Sequence, residues 1–251
     1  MPNQPRIFLP KQETERAKNT GIALITGSDA NHIRNVLRLP VGAIILAGDG
    51  EGTFFTASVS EYVKDGVLIS VAPDSGKRAD MEFPFPVVVY QCLPKGEKAD
   101  YVIQKSVELG ASEIVLVLSD RCVARPDGKT VPKRIERMNR ISESAASQCG
   151  RGMVPPVRGL LSYGEALKEM RSYGNPFVCY EGLNVVGLPS LLHPSPGGIA
   201  FLIGPEGGLS ENEVSATREA EIPLAGLGPR ILRTETAALF VLSCIGFRYG
   251  F

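Results

Sequence analysis

The sequence contains no tryptophan and only two histidines, His32 and His193, in 251 residues. Its five cysteines (Cys92, Cys122, Cys149, Cys179 and Cys244) are odd in number, widely spaced and never in a C-x-x-C pair. Nothing here supports a disulfide framework or a zinc site, so no metal is expected and a reducing cytoplasm is the simpler setting. No apolar run reaches the roughly 18 residues of a membrane span, and the opening "MPNQPRIFLPKQETER" lacks the apolar core of a signal peptide. The expectation is a soluble cytoplasmic protein with no membrane contact. Formal net charge is zero, which excludes a uniformly basic nucleic-acid binder but leaves room for a local basic face. Without a long polar tract, the chain is expected to fold throughout.

Two regimes follow one another. Residues 1–75 carry short β-like runs, "RIFLP", "GIALITG", "GAIILAGDG", "TFFTASVSEYV" and "GVLISVAP", separated by turn residues. One helical stretch, "SDANHIRNVLRL", lies between the second and third. Ser28 or Asp29 is placed to cap it, with Ile33, Val36 and Leu37 as its apolar stripe. This reads as a small β-barrel carrying one helix. "DSGKRADMEFPFP", residues 74–86, has the proline and charge content of a linker, set at 76–86.

From residue 87 to 251, apolar strands alternate with amphipathic helices. "VVVYQCL" precedes "EKADYVIQKSVELG", which stops at Gly110, and "EIVLVLS" precedes "VPKRIERMNRISESAASQCG". Capping boxes, Ser162 with Glu165 and Ser210 with Glu213, open two later helices. "FVCYE", "GIAFLIG" and "IPLAGLG" supply further strands, and "TETAALFVLSCIGFRY" a closing helix. Nearly uninterrupted apolar strands between helices predict an α/β domain with a parallel sheet covered on both faces.

Two turns concentrate residues able to do chemistry. In "LIGPEGGLSENE", residues 202–213, a buried strand runs into glycines and then a capped helix. This is either a tight strand-to-helix turn or a backbone that a ligand approaches closely. It has neither the lysine of a phosphate cradle nor the G-x-G-x-x-G of a dinucleotide fold. Glu206 and backbone carbonyls suit ribose hydroxyls, an adenine amino group or a cationic ligand better. In "LGPRILRTETAAL", residues 227–239, Thr234 as N-cap and Glu235 at the helix start have a purely structural reading. Arg230 and Arg233 do not.

Those two stretches, about twenty residues apart, resemble the paired signature of the bacterial 16S ribosomal RNA uridine N3-methyltransferases, of the trefoil-knotted SPOUT class. "KGEKADYVIQKSVELGASEIVLVLSDRCV" and "ASQCGR" resemble that family's earlier motifs. "PRIFLP" with "HIRNVLRLPVGAIILAGDG" resembles its PUA-like RNA-binding domain. The likeness runs in order along nearly the whole chain. It implies a PUA-like domain over 1–75, a methyltransferase domain over 87–251 with the knot in about 199–242, S-adenosylmethionine as cofactor and a homodimer.

Cofactor contacts carry onto Leu202, Ile203, Gly204, Pro205, Glu206, Gly207 and Gly208, and onto Leu227, Gly228, Ile231, Leu232, Arg233, Thr234 and Thr236. Residues 181–198 match the family poorly, so no contact is assigned to Glu181 or Gly182. Methylation of uracil N3 expels a weakly acidic proton and spreads negative charge onto the flanking carbonyls. Arg233 is the candidate stabiliser of that charge and Glu235 the candidate proton acceptor; the alternative is a structural Arg233–Glu235 pair.

Small-subunit ribosomal RNA is the expected partner. Arg6, His32, Arg34 and Arg38 in the small domain, and Lys95, Arg121, Arg137 and Arg151 beyond it, are the candidates for gripping it. Arg151 stands between glycines in "CGRG", which suggests exposure. The competing reading is a non-catalytic RNA-binding or ribosome-assembly factor that keeps the knotted fold. A hydrolase is set aside, because the chain has no G-x-S-x-G elbow.

Overall fold

The computed structural model describes residues 4–72, 77–78, 81–193, 195 and 197–249. The chain divides into two compact units, one of residues 1–82 with 146–154 and one of residues 83–145 with 155–251.

In the first unit, strands β1 (Arg6–Phe8), β3 (Ile44–Gly48), β4 (Thr53–Val63), β5 (Gly66–Val71) and β2 (Ile22–Ile25) lie side by side in that order. Strand β6 (Lys77–Arg78) adds to β4, and all pairs except β1–β3 are antiparallel. Alternate residues face one core: Ala23 and Ile25, Ile45 and Ala47, Ala57 and Val59, Val67, Ile69 and Val71. Among the described residues no pairing joins β1 to β2.

Two features depart from the sequence reading. Helix α1 (Lys11–Thr20) was not expected, because "KQETERAKNT" has no apolar stripe and buries only Thr14 and Ala17. The expected helix exists as α2 (Gly27–Asn31), but it starts after Thr26 with no side-chain cap, so neither Ser28 nor Asp29 serves as one. It continues as one π-helical turn, His32–Val36. The wider turn keeps Ile33 in the core and leaves Val36 and Leu37 exposed, Val36 by 62%.

The first unit is discontinuous, unlike the contiguous segment expected. Ser147 Oγ donates to the Arg6 carbonyl at 2.8 Å, and Val154 N–H donates to Gly50 O at 3.0 Å. Of the expected linker, residues 76, 79 and 80 lie outside the described residues.

The second unit is a seven-stranded, wholly parallel sheet. Its strands are β7 (Val87–Cys92), β8 (Glu113–Leu118), β9 (Val157–Ser162), β10 (Asn175–Cys179), β11 (Val186–Gly187), β12 (Ile199–Ile203) and β13 (Leu224–Gly226). They lie in the order β11-β13-β10-β12-β7-β8-β9. Every residue of β7 and β12 is buried, as unbroken apolar runs predict for central strands. The helices are α3 (Lys98–Glu108), α4 (Val131–Cys149), α5 (Tyr163–Met170), α6 (Leu188–Leu191), α7 (Glu211–Glu219) and α8 (Thr234–Tyr249). Both expected capping boxes are formed, Ser162–Glu165 on α5 and Ser210–Glu213 on α7.

Because β10 lies between β12 and β13, three carboxyl ends and the turns after them emerge together, at the kind of sheet edge where open α/β folds bind ligands.

On the far side of the sheet, β9 shifts register against β8 between Leu116 and Val117. There Gly159 takes φ +116°, and a Cβ would overlap the Leu116 carbonyl oxygen. Gly159→Ala is expected to lower the unfolding free energy by about 2 kcal/mol, measured by urea denaturation.

Candidate functional site

A cavity of about 440 Å³ opens at those three carboxyl ends. Its walls come from Cys179 to Gly182 after β10, Ile203 to Glu206 with Gly208 and Leu209 after β12, and Gly226 to Thr234 after β13. Lys98 and Ala237 complete it, from the starts of α3 and α8.

The two signature turns are joined by one hydroxyl. Thr234 Oγ1 donates to the Gly204 carbonyl at 2.7 Å and accepts from Gln91 Nε2 at 2.8 Å. Thr234 is only 5% exposed, and Gln91, at the end of the central strand β7, is buried with it. Thr234 is therefore not the expected N-cap. It is the first helical residue of α8, and its side chain turns inward while the Arg233 carbonyl accepts from Ala237 N–H.

A second set of bonds braces the first turn from behind. Ser210 Oγ donates to Asp120 Oδ2 at 2.6 Å, Asp120 N–H donates to Glu213 Oε1 at 2.8 Å, and an Arg121 guanidinium N–H donates to Gly207 O at 2.9 Å.

Charge on the walls is arranged by Lys98. Its ammonium lies 3.1 Å from Glu206 Oε1 and 3.5 Å from Glu235 Oε2. Glu206 also accepts the Lys95 N–H at 3.1 Å. Burial works to raise the Glu206 carboxyl, but backbone N–H groups and Lys98 hold it below the ordinary value. Glu206 in turn raises the Lys98 ammonium. Glu206 is thus engaged by a lysine of another element.

The other candidates separate by geometry. Ile203, Gly204, Pro205, Glu206, Gly208, Leu227, Gly228, Ile231, Leu232, Arg233 and Thr234 line the cavity, although Ile231 is 84% exposed at its mouth. Leu202 is buried inside the sheet, and Thr236 is exposed off the cavity. Gly207 faces the Arg121 side chain, so Gly208 is the glycine of the pair that borders the cavity. Glu235 does not line the cavity either, because its carboxylate turns to Lys98. An Arg233–Glu235 pair is absent among the described residues, and Arg233 is exposed on the lining with no ion pair.

Lys98, Glu181, Gly182, Leu209 and Arg230 also line the cavity, and the sequence analysis assigns none of them to the cofactor site. The position of Lys98, just past the carboxyl end of the first α/β strand, was the usable signal.

Several expected RNA contacts also make bonds within the protein. Arg151 is 3% exposed and pairs with Glu82 at 2.5 Å, so its glycine neighbours allow close packing instead of exposure. Arg34 donates to the carbonyls of Val63 and Gly66 and stacks on Tyr62. Arg137 makes a two-pronged pair with Asp100. Arg6 lies over the Phe54 ring and beside Gly150. Arg121 spends one N–H on Gly207. His32, Arg34, Arg38, Lys95, Arg121 and Arg137 are all exposed, whereas Arg151 is buried.

A family model described as an RNA methyltransferase domain matches residues 81–246, and one described as an RNA methyltransferase PUA domain matches residues 25–71. The class is thereby defined: an RNA methyltransferase domain preceded by a PUA domain. Ribosomal RNA small subunit methyltransferase E of Bacillus subtilis is 36% identical over 96% of this chain and 95% of that protein. The Neisseria gonorrhoeae enzyme of the same name, solved bound to S-adenosyl methionine, is 33% identical with a TM-score of 0.85 over 98% of both chains. A Legionella pneumophila protein solved with the bound cofactor SAM is 28% identical, TM-score 0.87, again over 98% of both. The chain belongs to the ribosomal RNA small subunit methyltransferase E family.

Thr234→Val keeps the shape but removes the hydroxyl donor to Gly204 O and one of the two acceptors of Gln91 Nε2, the other being Cys92 O. It is expected to cost about 1–3 kcal/mol, seen as a lower melting temperature in calorimetry. Arg151→Ala strands Glu82 and is expected to cost about 3 kcal/mol in urea unfolding.

Proposed function

We propose that this protein transfers the methyl group of S-adenosylmethionine to N3 of one uridine in small-subunit ribosomal RNA. The single observation that carries the reading is the convergence of the 204–209 and 227–234 turns on one cavity, with an unpaired Arg233 on its wall. The names and bound ligands of the relatives above support the same substrate class and cofactor.

The lining fits such a cofactor. Ile203, Pro205, Leu209, Leu227 and Leu232 offer apolar surface for an adenine ring. Gly204 and Gly208 let polar groups approach the backbone. We place the turns in a knotted segment, about 199–242, which makes them rigid with respect to each other. When bound, the cofactor supplies an already activated methyl group, so positioning contributes most of the acceleration.

The chain's own part is to hold the base and its charge. As the N3–methyl bond forms, the N3 proton is lost and negative charge spreads over the two neighbouring carbonyl oxygens. Arg233 is free to donate to one of them. With Glu206 and Glu235 both held by Lys98, the proton passes to water at the open mouth. His32, Arg34, Arg38, Lys95, Arg121 and Arg137, all exposed, contact RNA phosphates in this reading. The protein works in the cytoplasm, where the ribosome is assembled, and as a homodimer. Phe240 and Phe247, seven residues apart on α8 and 39% and 91% exposed, favour a protein-covered face.

Reverse transcription of small-subunit ribosomal RNA from cells with and without the gene tests the reaction, because N3 methylation blocks Watson–Crick pairing. A stop at one uridine that vanishes on deletion is expected; identical profiles would refute it. Arg233→Ala is expected to lower kcat by about 100-fold, the scale of a lost oxyanion donor, with little change in cofactor affinity.

A further inference from the structure

Glu181 begins the segment that the sequence could not place. It follows β10, and Gly182 beside it lies against the Tyr180 ring so closely that a Cβ there would collide with it. This tight bend directs Glu181 over the first signature turn. Its Oε1 lies 2.5 Å from where a Cβ of Gly208 would stand, so the hydrogen of Gly208 is what admits the carboxylate. Gly208 itself adopts φ +68°, and both residues line the cavity.

Among the described residues Glu181 makes no hydrogen bond or ion pair. The other lining acid, Glu206, is paired with Lys98, and Glu235 behind it shares that lysine. Glu181 is therefore, among the described residues, the lining carboxylate with no ion pair. A nearby ammonium group could satisfy itself with water, since it has three N–H donors. A sulfonium has none, and its charge is offset only by a fixed anion or dipole close by.

We infer that Glu181 recognises the sulfonium charge of the methyl donor and thereby distinguishes donor from spent product. The inference rests on the methyltransferase reading above. It has a consequence for the reaction. Transfer moves the S–CH3 bonding pair onto sulfur while N3 forms the new bond, so the sulfonium becomes a neutral thioether. A carboxylate beside it stabilises the bound donor more than the transition state. Glu181 is accordingly a ground-state binding group: it raises occupancy, gives no acceleration, and loses its hold once the methyl has left.

The test is calorimetric titration of wild type and Glu181→Gln with S-adenosylmethionine and with S-adenosylhomocysteine, together with steady-state kinetics. Glu181 is solvent-exposed, so the substitution should leave the melting temperature unchanged. The dissociation constant for S-adenosylmethionine should rise about fivefold, the scale of a partly solvated charge pair, while that for S-adenosylhomocysteine stays the same. The KM for the donor should rise in step and kcat should be equal or higher. Equal losses for both ligands would overturn the assignment, pointing to a ribose or ammonium contact. A fall in kcat with unchanged donor affinity would also overturn it, and would make Glu181 the proton acceptor. Failure of wild type to bind either ligand would instead remove the methyltransferase reading itself.

Discussion

One hydroxyl group decides whether this protein has a site. Thr234 Oγ1 donates to Gly204 and accepts from Gln91, tying two turns that are far apart in sequence to the central strand of the sheet. Thr234 and Gln91 are both buried, so the strength of the bridge comes less from the bonds than from the cost of breaking them there. A cavity built from loops is only as well defined as the links among them, and here the links are internal and short. The bracing of the Gly204–Gly208 turn by Asp120, Arg121 and Glu213 serves the same end from the opposite side.

Charge is handled with similar economy. Lys98 engages two carboxylates, Glu206 and Glu235, so the acids that look chemically prominent in the sequence are committed to holding α3 against the turns. Arg233, three residues past Arg230, has no such partner. That inverts the ordinary expectation that a glutamate next to an arginine pairs with it. Among the described residues, the charged groups on the wall without an ion pair are the Arg230 and Arg233 guanidinium groups on one turn and the Glu181 carboxylate on another.

Much of this was legible in the sequence, and the boundary is instructive. The buried strands β7, β8 and β12 announce themselves as continuous apolar runs, and the capping boxes at Ser162 and Ser210 fix helix starts to the residue. Each of those signals is local. What escaped is governed either by tertiary contacts or by polar helices. Helix α1 has no apolar stripe to betray it, and the π-helical turn at His32–Val36 changes which side chains face inward without changing composition. Glycines on both sides of Arg151 suggest exposure, but in the fold its guanidinium is buried against Glu82. The Lys98 pairings and the placing of Glu181 over Gly208 depend on strand order, which no single motif encodes.

The short stretch from Arg230 to Glu235 shows why its polar density looked excessive for a capped helix. Consecutive residues at a helix start point in different directions, so neighbours in sequence are not neighbours in function. Thr234 turns into the interior, Glu235 toward Lys98 and Arg233 onto the open wall. Arg233 also supplies the carbonyl that receives the Ala237 N–H, so its backbone is fixed while its side chain is left free. A guanidinium anchored at the root and unpaired at the tip keeps its full hydrogen-bonding capacity for a ligand at little entropic cost to the backbone. The second turn thus combines a structural lock and a reactive group within two residues. The rigidity of the first is the condition for the directed freedom of the other.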